Sequence, residues 1–225
     1  MEKCGGGFIR INKVESITLV RHGMTEWAES GKHTSVTDVA LTAEGRAEAL
    51  ALWRFLVAQG HFDGIYSSPM QRAYHTAILA GFSDPELHRG LCEWCYGRYE
   101  GMTTAEIHQE DPEWSVFRSG GPGGESPENV RDRCDDLLRE WDEKGRRHVL
   151  CFAHGHILRA LASRWLGLDL RFGDHLHLDP GSVSQLGWEH GVPALHLWNY
   201  RPRRLISGAR AGSLRSHLWG VRSGQ

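Results

Sequence analysis

The chain has 225 residues, 40% of them hydrophobic and 24% charged, with a formal net charge of −2. That length suits one domain with a sizeable core. The balanced charge gives no footprint for nucleic acid, and no apolar run approaches the roughly 20 residues that span a bilayer. The first residues (MEKCGGGFIRINK) lack the apolar stretch of a secretory signal, so a cytoplasmic location is expected. Five cysteines (Cys4, Cys92, Cys95, Cys134 and Cys151) are too sparse for a disulfide framework. Cys92 and Cys95 form a single C-x-x-C without the second pair that a structural zinc site needs, and read as ordinary thiols.

Ser16 to Val20 (SITLV) is a short run rich in β-branched residues and reads as a buried strand. Thr42 suits the cap of a helix running to about Ala58, with Leu50, Trp53 and Val57 at helical spacing. Gly64 to Ser67 is the next strand. The segment Ser68-Pro69-Met70-Gln71 has the form of a capping box, with Ser68 as cap and Pro69 at the first helical position. That helix runs to about Ala80 and stops at Gly81.

A short strand is expected near Glu86 to His88, and a helical turn from Ala105 to Gln109. The glycine-rich loop 120–124 (GGPGG) is flexible by composition. Ser126-Pro127 opens another helix, with Val130, Cys134, Leu137, Leu138 and Trp141 on its apolar face. His148 to Ala153 is a strand, Gly155 to Leu166 a helix stopped by Gly167. Ser184 to Trp188 and Leu195 to Trp198 read as final strands. The alternation predicts a three-layer α/β/α fold around a mostly parallel sheet. Residues 1–15 are expected to form an N-terminal extension and 16–200 the single α/β domain. From Arg201 the chain turns arginine-rich with no acidic residue, reading as a mobile tail whose charge also suits an anionic surface.

The first strand runs into Arg21-His22-Gly23, the second into Ser68 with Arg72 soon after, and the fourth into His154-Gly155-His156. Ligands of open α/β sheets bind beyond the carboxyl ends of strands, where helix N-termini add N–H donors. Cations converging there suit a phosphate group. His61, His108, His175 and His177 carry no such pattern, and Asp38 is expected to shape its loop.

Four ordered segments resemble the motifs of the histidine phosphatase superfamily, the phosphoglycerate-mutase-like group: LVRHGMTEW (Leu19 to Trp27), SSPMQRA (Ser67 to Ala73), LCEWCYGRYEG (Leu91 to Gly101) and FAHGH (Phe152 to His156). The resemblance implies that His22 is a nucleophile forming a phosphohistidine, and that Arg21, Arg72 and His154 clamp the phosphoryl oxygens. It implies that Glu93 is the general acid, and that Thr25, Thr34, Ser35, Tyr96 and Gly155 line the substrate pocket. No metal and no other cofactor is implied, because arginines supply the positive charge. The trace SGKHTSVTD (Ser30 to Asp38) is similar to a branch of acid phosphatases and sugar bisphosphatases. Ala28 and Ser35 depart from the Asn and Gly usual in the superfamily, which bears on the pocket rim.

The expected activity is metal-independent hydrolysis of small phosphorylated metabolites, sugar phosphates among them. A phosphoglycerate mutase is the alternative; a non-catalytic module using Cys92 and Cys95 for redox sensing is a third reading. The compact, arginine-poor run from Gly101 to His154 favours the phosphatase. Neither nucleic acid nor membrane is expected as partner, and the chain is expected to be a monomer or homodimer.

Overall fold

The computed structural model describes residues 10–202. In chain order the elements are β1 (Ser16–Arg21), α1 (Glu26–Glu29), α2 (Ala43–Ala58), β2 (Gly64–Ser67), α3 (Gln71–Leu79), β3 (Glu86–Leu87), α4 (Thr104–Glu110), α5 (Val116–Ser119), α6 (Pro127–Glu143), β4 (His148–Ala153), α7 (Gly155–Trp165), β5 (Val183–Glu189) and β6 (Val192–Tyr200). The sheet order is β3-β2-β4-β1-β5-β6. The first four strands in that order run parallel; β5 and β6 continue the sheet antiparallel.

Strand residues alternate faces, which divides the core into two layers. Ile17 and Leu19 of β1 and Val149 and Cys151 of β4 face the α6 and α7 side, against Leu137, Trp141, Leu158 and Leu161. Val20, Leu150 and Phe152 face the other way, against Leu52 and Leu56 of α2 and Ala77 of α3. The observed fold is thus the expected mostly parallel α/β sheet with helices on both faces. Among the described residues no helix is long and apolar enough to cross a membrane.

Three local expectations are corrected. The buried stripe of α2 is Ala49, Leu52 and Leu56, whereas Leu50, Trp53 and Val57 are exposed. Helix α3 begins at Gln71 with Met70 as its cap and no side-chain cap bond. Ser68 Oγ accepts from the Met70 N–H and also meets His154 Nε2, so tertiary contact claims the hydroxyl. The glycine-rich loop is held: Pro122 O accepts from Arg98 N and Cys95 O from Glu125 N. A Cβ at Gly121 would stand 2.0 Å from Tyr96 O, and one at Gly124 2.0 Å from Cys95 O, so glycine there permits close backbone packing. Residues 12–14 are tied by their N–H groups to Asp142 Oδ1, so the end of the extension is fixed to α6. The remainder of the arginine-rich tail, 203–225, lies outside the described residues; Arg201 itself pairs with Glu48. Cys92 and Cys95 are free, half-buried thiols.

Candidate active site

β1 and β4 are adjacent and in register with Arg21 opposite Ala153, so their carboxyl ends bring His22 and His154 together. The two imidazoles lie 5.2 Å apart, ring centre to ring centre, and both are buried. The loop leaving His22 is pinned on all sides. His22 N donates to Ala153 O, Gly181 N donates to His22 O, and Gly23 N donates to Thr76 Oγ1. Gly23 crosses Gly45 of α2 so closely that a Cβ at Gly23 would lie 2.3 Å from Gly45 O.

His22 Nδ1 lies 2.8 Å from Gly23 O. A carbonyl only accepts, so Nδ1 carries the proton and Nε2 keeps its lone pair. Burial, then the Arg72 and Arg21 guanidiniums, push the His22 pKa well below the ordinary imidazole range. The ring is therefore a neutral base and nucleophile with its orientation fixed.

Around His22 opens a cavity of about 140 Å³, lined among others by Arg21, Thr25, Thr34, Glu93, Tyr96 and Gly155. Arg21 Nη1 donates to Leu178 O, but its Nε is buried without a partner among the described residues. An orphaned buried guanidinium N–H is costly unless an acceptor meets it, and a phosphoryl oxygen is a fitting one. Arg72 and His154 do not line the cavity; they lie behind it. Arg72 Nε donates to His154 Nδ1 at 3.0 Å, and its terminal nitrogens donate to Thr34 O, Ser35 O and Thr37 O. Arg72 thus also fastens the loop before Asp38, whose Oδ1 accepts from Gln71 N.

Glu93 is buried at the N-terminus of α7. Its Oε1 accepts from Trp94 N and Ile157 N, and its Oε2 from His156 N at 3.0 Å. Helix N-termini favour such a carboxyl group through their unpaired N–H donors. Tyr96 is buried too. Its phenol is pushed well above its ordinary pKa, first by burial and then by Glu93. Its hydroxyl lies 2.6 Å from His156 Nδ1.

Thr25 caps α1 through Oγ1 and lines the cavity. Ser35 does not line it. Its hydroxyl and N–H are both taken by Glu100, and its carbonyl by Arg72, so it anchors the loop instead. The sequence reading omitted Lys32, His33, His156 and Arg159, all of which line the cavity. His156 follows His154 by two residues, and Arg159 stands one helical turn after Gly155, so i, i+4 spacing on α7 was an available signal. Among the described residues no group of His, Cys, Asp or Glu is arranged to hold a metal ion.

A neutral buried histidine at a strand end, flanked by arginines and sharing its cavity with a carboxyl group, suits phosphoryl transfer. Residues 17–201 match the family model of the histidine phosphatase superfamily (branch 1), and the chain belongs to that superfamily. It is 39% identical over 182 residues to an acid phosphatase of Mycobacterium tuberculosis, covering 80% of this chain and 89% of that protein. To the sedoheptulose 1,7-bisphosphatase of Saccharomyces cerevisiae it is 32% identical, covering 68% of each. A 2,3-bisphosphoglycerate-dependent phosphoglycerate mutase of Cytophaga hutchinsonii is 33% identical, with 80% of this chain and 86% of that one covered. The solved structure of the Mycobacterium tuberculosis open reading frame Rv3214 superposes with a TM-score of 0.81 at 38% identity, covering 84% of this chain and 99% of that one.

Proposed function

We propose that the chain is a metal-independent, cytoplasmic phosphatase that hydrolyses phosphomonoesters of small metabolites through a phosphohistidine on His22. The observation that carries this reading is the His22 Nδ1 to Gly23 O bond, which leaves Nε2 as a neutral lone pair beside Arg21. In the first step Nε2 attacks phosphorus, the ester P–O bond breaks, and the leaving oxygen takes a proton from Glu93. In the second, Glu93 as carboxylate removes a proton from water, the water oxygen bonds to phosphorus as the P–N bond breaks, the electron pair returns to His22 Nε2, and inorganic phosphate departs. The transferring group spreads its charge over three oxygens, so positioned cations are the main source of acceleration. Arg21 supplies that charge directly, with Arg72 and His154 behind it.

The substrate reading is a sugar phosphate, with a second anionic group favoured. Lys32 and Arg159 line the same cavity, and the terminal nitrogens of Arg159 carry no hydrogen bond among the described residues, its Nε alone being bound to Gly173 O. Two cations beyond the reacting centre suit a bisphosphate, in keeping with a bisphosphatase among the relatives.

The test is p-nitrophenyl phosphate hydrolysis in EDTA, wild type against His22→Ala. Turnover in EDTA that the variant loses by several orders of magnitude supports the reading. Turnover that survives the substitution sinks it. Stimulated phosphoglycerate interconversion with a bisphosphoglycerate primer, and no hydrolysis, replaces it by the mutase reading.

A further inference from the structure

Glu48 is a buried carboxylate on α2, outside the cavity and without a part in the steps above. Its Oε2 accepts from Met24 N at 2.8 Å. That N–H belongs to the same peptide unit as Gly23 C=O, and Gly23 O is the acceptor that holds His22 Nδ1 at 2.8 Å. One rigid peptide plane therefore connects a carboxylate to the imidazole. We propose that Glu48 is a positioning residue for His22, acting through the Gly23–Met24 peptide as a buried carboxylate acts on an imidazole it touches directly.

Three physical effects follow. A peptide is planar, so fixing its N–H fixes the direction of its C=O. A hydrogen bond from the N–H to an anion polarises the peptide and makes its carbonyl a stronger acceptor. A stronger acceptor at Nδ1 holds the proton there, which keeps the lone pair on Nε2. Glu48 is itself oriented from outside: Arg201, just beyond β6, donates to Oε1 at 2.7 Å. Gly181, whose N–H binds His22 O, also packs on Glu48, and a Cβ there would lie 2.8 Å from Glu48 Cβ. Thr42 holds the next carbonyl, Met24 O, through its N–H and its hydroxyl. The carboxylate thus ties α2, the end of β6 and the turn before β5 to one peptide next to the nucleophile.

The inference rests on His22 being the nucleophile, and the experiment separates the two. ¹⁵N-histidine spectra of the full chain, with His22 assigned by its loss in His22→Ala, read the ring tautomer with no substrate present. Steady-state hydrolysis of p-nitrophenyl phosphate gives kcat and KM. Glu48→Leu is expected to move His22 away from the Nδ1–H tautomer and to lower kcat about ten- to a hundredfold with KM little changed, the range typical of removing a histidine's orienting partner. Glu48→Gln keeps an acceptor without the charge and is expected to fall between. Thermal melts check folding; should Glu48→Leu not fold, Glu48→Gln and Arg201→Met decide, both shifting the tautomer in the same direction. An unmoved tautomer in the folded variants, or a fall in kcat without a tautomer change, overturns the proposal. Should wild type hydrolyse nothing, the phosphatase reading fails and the tautomer shift alone decides the relay.

Discussion

Arg72 and His154 are joined by a hydrogen bond from Arg72 Nε to His154 Nδ1, 3.0 Å long. A guanidinium has only donors, so His154 Nδ1 is a lone pair and its proton sits on Nε2, directed at Ser68 Oγ 2.8 Å away. His22 holds the opposite tautomer, and the two rings are neighbours. Burial, then Arg72, keep the His154 pKa well below the ordinary range. Arg72→Lys keeps the charge but not the planar set of donors that holds His154 and the carbonyls of Thr34, Ser35 and Thr37. We expect kcat to fall by about a hundredfold, the size of a displaced catalytic group, because the bonds that position His154 and the 34–37 loop are lost. Measured kcat within threefold of wild type would mean that charge alone matters here.

Glu93→Gln tests the acid role through the leaving group. The amide oxygen can still accept from Trp94 N and Ile157 N, whereas its NH2 replaces the oxygen that met His156 N, so thermal melts accompany the assay. Alkyl phosphates need their leaving oxygen protonated, whereas p-nitrophenolate leaves readily. The variant is expected to lose about 10²- to 10⁴-fold on sugar phosphates and much less on p-nitrophenyl phosphate. Equal losses on both substrates would reassign Glu93 to positioning.

Arg159→Met and Lys32→Met address the outer cavity. A charge-assisted hydrogen bond contributes about 1.5–3 kcal/mol, so each lost contact is expected to raise KM for a sugar bisphosphate about ten- to a hundredfold. KM for p-nitrophenyl phosphate, which has no second anion, is expected to stay put. Parallel increases on both substrates would place these cations at the reacting phosphate instead.

The parts of the fold that depend on local chemistry could be read from the residues. β1 and β4 are β-branched or apolar runs, and α6 is capped by Ser126, whose side chain accepts from Asn129 N while Asn129 reaches back. The apolar face of α2 could not, because Ala49, Leu50, Leu52, Trp53, Leu56 and Val57 give two helical stripes. Only the sheet beneath selects one of them. Ser68 looked like a helix cap because its neighbours fit one; His154, 86 residues away, meets its hydroxyl instead. The motif residues were legible as a set, and helical spacing from Gly155 pointed to Arg159, but Lys32 comes from a distant loop and only folding brings the two cations to one cavity.

Acid is expected to destabilise the fold through its buried histidines. His33, 8% exposed, packs against Tyr96 and Trp114, and burial lowers its pKa to about 4 with Glu100 opposing. The unfolded chain binds its proton near pH 6.5 and the folded one near 4, so the penalty is absent above 6.5 and grows as pH falls towards 4. From pH 6.5 to 5 this site alone is expected to remove about 2 kcal/mol. His33→Phe keeps a ring between Tyr96 and Trp114, and leaves the Thr104 hydroxyl, which now meets His33 Nε2, to pair with water. Urea unfolding of wild type and variant at both pH values gives the comparison. The variant is expected to lose less stability between them by about that amount, while His22, His154 and His156, all depressed first by burial, keep part of the slope. Equal slopes would show that His33 titrates in the folded protein as it does in the unfolded chain.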